Sequence, residues 1–186
     1  MSFVSASTRL FPGAPKRKLC LFEEKSLEEL RTIVSLMPRA RKGFAPLLKK
    51  HLRGALGESG WELSFVFGDF PELGRKQSPV TIDAMRDSRV NDCPHRHRIL
   101  MEICTDNRQA IPLNLLKLEF ASRRFQQGSD SNVALPVMVV VSGEAPGLVT
   151  QGAVDSAVGT LKDYIVNANG PWAGLLQSSL YVISVN

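Results

Sequence analysis

The chain has few cysteines, few aromatic residues and no long apolar run, and each shortage removes a class of architecture. Cys20, Cys93 and Cys104 are odd in number and widely spaced, which excludes a disulfide framework and suits a reducing compartment. Aromatic residues make up 7% and charged residues 22% of the 186 positions, with no bias towards disorder, collagen or coiled coil. The longest apolar stretch, Ala134 to Val141, is interrupted by Pro136 and falls short of the ~20 residues that cross a bilayer. No basic residue precedes the apolar positions of the opening MSFVSASTRLFPGAPKRK, so no secretory signal and no membrane association are expected, and a cytoplasmic address follows. A glycine-rich phosphate loop, a GxSxG elbow, HExxH and paired CxxC are all missing, which removes several common enzyme classes.

What is present fits one domain over residues 1–186, with 1–22 as an N-terminal extension. There is no internal repeat or low-complexity tract. The net charge of +5 matters through its distribution: Lys16-Arg17-Lys18, Arg39/Arg41/Lys42, Lys49-Lys50-His51-Arg53, His95-Arg96-His97-Arg98 and Arg123-Arg124 are basic clusters. Such clusters suit a polyanionic ligand, and solvated helix faces carry the same pattern.

Periodicity orders the elements. Ser26-Leu27-Glu28-Glu29 has the spacing of a capping box, and Leu27, Leu30, Val34 and Met37 continue at helical intervals to Pro38, predicting a first helix. A second runs from Phe44 to Leu56, with Gly57 as its C-terminal cap. Trp61, Leu63, Phe65 and Phe67 then alternate as in a strand, and 79–86 and 98–105 follow as two more, joined by a long loop. A helix over 113–127, the doubly apolar strand ALPVMVVV, a helix over 154–165 and a strand over 180–185 complete the chain. This is an α/β architecture: a mixed sheet, opening with a three-stranded meander and flanked by helices.

The candidate chemistry lies in two of those strands. Asp83 ends Val80-Thr81-Ile82-Asp83, and Glu102 sits in Ile99-Leu100-Met101-Glu102-Ile103-Cys104. Carboxylates on adjacent antiparallel strands can meet at one point and form a hard-oxygen site for Mg²⁺, and such a pair repels itself unless a cation neutralises it. A buried Glu102 needs a metal, a basic partner such as Arg98 or Arg108, or a proton. The plainer alternative puts Glu102 on a solvated face with Leu100 and Cys104. Asp87 is a second candidate for the Asp83 role if the register shifts by four.

The succession of a Gly-Trp turn (Leu56-Gly57-Glu58-Ser59-Gly60-Trp61), an Ile-Asp strand, a Glu-containing strand, a loop with Asn107-Arg108, a helix with Leu-Leu-x-Leu-x-Phe and a long apolar strand resembles the type II restriction endonucleases of the BglII and BstYI kind, in the PD-(D/E)xK superfamily. The likeness covers about residues 44–142. It implies a restriction-endonuclease-like fold and a homodimer that clasps double-stranded DNA within a restriction-modification system. The reaction implied is Mg²⁺-dependent, sequence-specific hydrolysis of phosphodiester bonds, with Asp83 and Glu102 as metal ligands. The position two after Glu102, Lys in the wider superfamily and Gln or Glu in some close relatives, is here Cys104, a soft thiol poorly matched to Mg²⁺. Lys117 on the following helix is the candidate for a displaced lysine, although it reads first as a solvent-facing helix residue.

Asn107 and Arg108 have the chemistry to read adenine and guanine, and Ser142 with Glu144 forms a second candidate probe; Lys49, Lys50 and Arg98 are candidate DNA contacts. Cys93, His95 and His97, with Cys104 returning as a fourth ligand, offer a zinc reading without the usual spacing. Two other functions compete: a non-catalytic DNA-binding or assembly module with a degenerate nuclease fold, favoured by Cys104, and a cysteine-dependent hydrolase, for which no local signature supplies a base.

Overall fold

Residues 133–141 are apolar on both faces because they lie in a central strand of the six-stranded sheet formed by the described residues. The computed structural model describes residues 6–10, 16–36, 44–68, 80–88, 95–104, 110–141 and 178–185. Their order is β1 (Ala6–Leu10), α1 (Leu21–Ser35), α2 (Phe44–Glu58), β2 (Glu62–Gly68), β3 (Val80–Asp87), β4 (Arg96–Cys104), α3 (Ala110–Gln127), β5 (Asn132–Val141) and β6 (Tyr181–Val185). In space the strands run β1-β6-β5-β4-β3-β2. β2, β3 and β4 form the expected antiparallel meander, β4, β5 and β6 are parallel, and β1 closes the far edge antiparallel to β6. The mixed α/β sheet flanked by helices is thus the architecture of the chain.

Strand alternation divides the core in two. Ile99, Met101 and Ile103 of β4, with Leu135, Val137 and Val139 of β5, pack beneath Leu27, Leu30 and Val34 of α1 and Leu52 and Leu56 of α2. Leu100 and Cys104, with Met138 and Val140, face Ile111, Leu115, Leu118 and Phe125 of α3 on the other side. The α3 crossover between parallel β4 and β5 covers that side.

Several boundaries differ from those expected, for local reasons. α1 begins five residues before Ser26: Cys20 is its N-cap, in a reciprocal capping box with Glu23, and Ser26 is buried inside the helix. α2 passes Gly57 and ends at Glu58, ahead of Gly60, whose φ of +80° suits glycine. There Trp61 N–H bonds to Leu56 C=O at 3.0 Å and Gly60 N–H to Gly57 C=O at 3.2 Å, the paired closure of a Schellman motif. β1 lies within the segment read as an extension, and β4 reaches back to include Arg96 and His97, read as loop. The helix expected over 154–165 lies outside the described residues.

Candidate functional site

The strands around Asp83 break their own alternation. In β3, Ile82 faces the α3 layer and Ala84 the opposite layer; in β2, Phe65 and Leu63 divide in the same way. Leu63 pairs with Ala84 and Phe65 with Ile82, so the two strands change face at one step, between Ser64 and Asp83. Ser64 takes φ +54° there, a conformation that costs a non-glycine residue roughly 1–2 kcal/mol, and Arg53 of α2 donates to its hydroxyl at 2.7 Å. β3 pairs with β4 from Asp87↔Arg98 to Ala84↔Met101, and no farther. Beyond that step, Asp83 Oδ2 accepts the backbone N–H of Ile103 at 2.9 Å. The carboxylate thereby takes the place of a ladder acceptor and is held over β4.

Glu102 meets Asp83 from β4. It shares a sheet face with Leu100 and Cys104, as the plainer reading had it, but that face is covered by α3, and Glu102 is only 3% exposed. Its partner is Lys117 of α3, whose ammonium donates to Oε1. Arg98 is engaged elsewhere, so among the described residues the basic partner is Lys117, and the solvent-facing reading of that lysine is corrected. Burial pushes the Glu102 carboxyl up to about 7, against the opposing pull of Lys117 and with a further push from the Asp83 charge. The two carboxylates therefore act on each other electrostatically. Glu102 is the member disfavoured as an anion, and a proton, a basic partner or a cation relieves such a charge.

Cys104 lies at the same end of β4, 3% exposed. Burial pushes its thiol up to about 11, with Glu102 and Asp83 adding to the rise, against the pull of Asn114 and of Lys49. Asn114 Nδ2 donates to its sulfur at 3.1 Å. Asn114 and Lys117 stand one turn apart on α3, so the same stripe of that helix addresses Cys104 and Glu102. On α2, Lys49 is half-buried and Lys50 exposed. A neutral buried thiol is a poor nucleophile. The histidines at hand are engaged away from it: His51 Nε2 lies 3.0 Å from Ile33 O, and His97 Nδ1 lies 3.0 Å from Glu23 Oε1. This geometry runs against Cys104 as a hydrolase nucleophile; Cys93 lies outside the described residues.

The remaining candidates separate clearly. Arg98 lies between the Phe65 and Phe125 rings, its guanidinium carbon 5.0 and 4.3 Å from their centroids, and binds Asp87 through two hydrogen bonds of 2.6 and 2.8 Å. Arg96 adds a third at 2.7 Å. Arg98 is therefore a packed interior arginine. Burial alone would raise the Asp87 carboxyl, but Arg98 and Arg96 hold it below the usual carboxylate range, so Asp87 is committed to them and is not the Asp83 alternative. His97 and Cys104 are an odd number of residues apart on one strand and fall on opposite faces, which removes the proposed four-ligand zinc set; Cys93 lies outside the described residues, as do Asn107, Arg108, Ser142 and Glu144. The sequence offers Lys117 as the candidate for a displaced lysine while reading it first as solvent-facing. Its signal was its place one turn beyond Asn114 on the crossover helix that must cover Glu102.

No protein-family model matches the chain, and comparison with curated protein sequences finds no match. Among solved structures it is similar to the restriction endonuclease BglII complexed with a DNA 16-mer, with a TM-score of 0.56 and 10% sequence identity over 97% of this chain and 77% of that one. The fold is restriction-endonuclease-like. Among the described residues no helix is long and apolar enough to cross a membrane.

Proposed function

We propose that the protein is a Mg²⁺-dependent endonuclease acting on double-stranded DNA, sequence-specific and homodimeric in the manner of type II restriction enzymes. The observation that carries this reading is the approach of Asp83 and Glu102 at the step where β3 leaves β4, with Lys117 on Glu102. Asp83 and Glu102 would hold the ion, which when bound supplies charge for the phosphate and an activated water. Asp83 keeps its orientation through the Ile103 N–H. Lys117 neutralises Glu102 in this structure, and with Glu102 serving as a ligand the Lys117 ammonium would be available to a phosphate oxygen. Cys104, neutral and buried, fills the space beside it. Lys49 and exposed Lys50 supply phosphate contacts from α2. Asn107, Arg108 and Ser142 are assigned to base reading on their chemistry and chain position.

The non-catalytic alternative keeps one specific support, Cys104 in place of the usual ammonium. Incubating supercoiled plasmid with the protein and Mg²⁺, against an EDTA control and Glu102→Gln, separates the two. Cleavage that needs Mg²⁺ and is lost in the variant supports the endonuclease. Salt-sensitive DNA binding with intact plasmid under every condition supports the module.

A further inference from the structure

On the sheet face opposite Asp83 and Glu102, a second group of ligating side chains surrounds the start of α1. We propose that Cys20, Glu23 and His97 form a zinc-class metal site that ties the first turn of α1 to β4. One ligand atom from each, Sγ, a carboxylate oxygen and a ring nitrogen, lies within 4.8 Å of the other two. His97 Nδ1 and Glu23 Oε1 are 3.0 Å apart. Tetrahedral zinc holds neighbouring nitrogen and oxygen ligands about 3.3 Å apart, so this pair is already near ligand spacing and the sulfur needs only a side-chain adjustment.

The donor set selects the ion. A thiol and an imidazole favour Zn²⁺ over Mg²⁺ or Ca²⁺, and three protein ligands leave a fourth position for water. The surroundings fit as well. Glu23 is fully buried and His97 5% exposed, so two ligands are fixed by the fold. Cys20 is the N-cap of α1, where serine, threonine or aspartate caps better; a soft ligand stands where capping alone would favour a hydroxyl, and the helix N-terminus stabilises a thiolate.

Glu23 also binds Arg17 through both oxygens and accepts the Cys20 N–H on Oε2 at 3.0 Å. In the zinc-bound state Oε1 turns to the ion, while Arg17 Nη1, 2.7 Å from Oε2, and the Cys20 N–H keep the second oxygen as an outer partner. Binding releases the Cys20 thiol proton to solvent and requires the His97 ring proton on Nε2. Thiolate and carboxylate then balance the two charges of the ion.

The test uses the full chain freed of metal by chelation. Zinc should bind at about one equivalent and raise Tm by roughly 5–10 °C at a hundredfold excess over Kd. Co²⁺ in its place should give a thiolate-to-metal charge-transfer band. That band should vanish in Cys20→Ser, which preserves the helix cap, should vanish in His97→Gln, and should persist in Cys104→Ser and Asp83→Asn. A cobalt complex of the wild type without a thiolate band, no binding at all, or a band unchanged in folded Cys20→Ser would overturn the site. The wild-type spectrum alone decides whether a thiolate ligates, so a variant that fails to fold leaves the proposal exposed to refutation.

Discussion

Asp83 Oδ2 accepts the Ile103 N–H at 2.9 Å where β3 stops pairing with β4, so one side chain closes the backbone ladder and presents an acid beside Glu102. The two roles are separable. Asp83→Asn keeps an acceptor for Ile103 and should unfold close to the wild-type temperature. Asp83→Ala leaves the N–H without that acceptor and should cost about 1–3 kcal/mol. Both should cut Mg²⁺-dependent cleavage by about a hundredfold or more. Denaturant melts alongside cleavage rates measure the division, and equal stability of the two variants would contradict the ladder role.

The raised Glu102 carboxyl makes metal-free stability depend on pH in a stated direction. Its folded value of about 7 exceeds the ordinary 4.5, so the folded state binds the proton more tightly. That contribution is full below about pH 4.5 and is lost as pH rises through 7, on the order of 3 kcal/mol in all. Under the proposed function a bound Mg²⁺ would relieve the charged form, so the rise in Tm on adding Mg²⁺ should grow between pH 6 and 8. Thermal melts with and without Mg²⁺ across that range provide the check, and a flat difference would contradict it.

Lys117→Met removes the ammonium from Glu102 and should destabilise the metal-free protein by about 2 kcal/mol at pH 8, with the loss shrinking towards pH 5, where Glu102 is protonated. It should also lower cleavage more than it lowers DNA affinity, with Lys117→Arg recovering part of the rate. A uniform loss of affinity at unchanged rate would make Lys117 an ordinary phosphate contact.

Arg98→Met should lower stability by about 2–4 kcal/mol while leaving the salt dependence of DNA binding unaltered, because its guanidinium is spent on Asp87, Phe65 and Phe125. Lys49→Ala should do the reverse, reducing the slope of log affinity against log salt by about one unit at nearly constant Tm. Filter binding at several salt concentrations, with melting curves, distinguishes the two.

How far the sequence could be read follows from where each signal resides. The α3 stripe and the doubly apolar β5 are periodic over many residues and were legible. β1 is five residues long, and its partner β6 lies at the other end of the chain, so neither a turn nor periodicity announces it. The start of α1 was missed because cysteine is a rare cap and Ser26 offered a better local motif. Asp83 and Glu102 were legible as acids in neighbouring strands. Their approach depends on the face change at Ser64 and Asp83, a backbone conformation that no composition reveals. Arg98 read as a candidate DNA contact or a partner of Glu102 because charge alone does not disclose two aromatic walls and a bidentate acid. His97 read as loop, and its partners Cys20 and Glu23 lie far away in sequence on α1.

The most direct test is a crystal of the protein grown with Mn²⁺ and recorded at an anomalous wavelength. The account predicts a peak about 2.0–2.3 Å from oxygens of both Asp83 and Glu102, with Lys117 released from Glu102. Density showing Lys117 still seated on Glu102, and no anomalous peak between the two carboxylates, would contradict it.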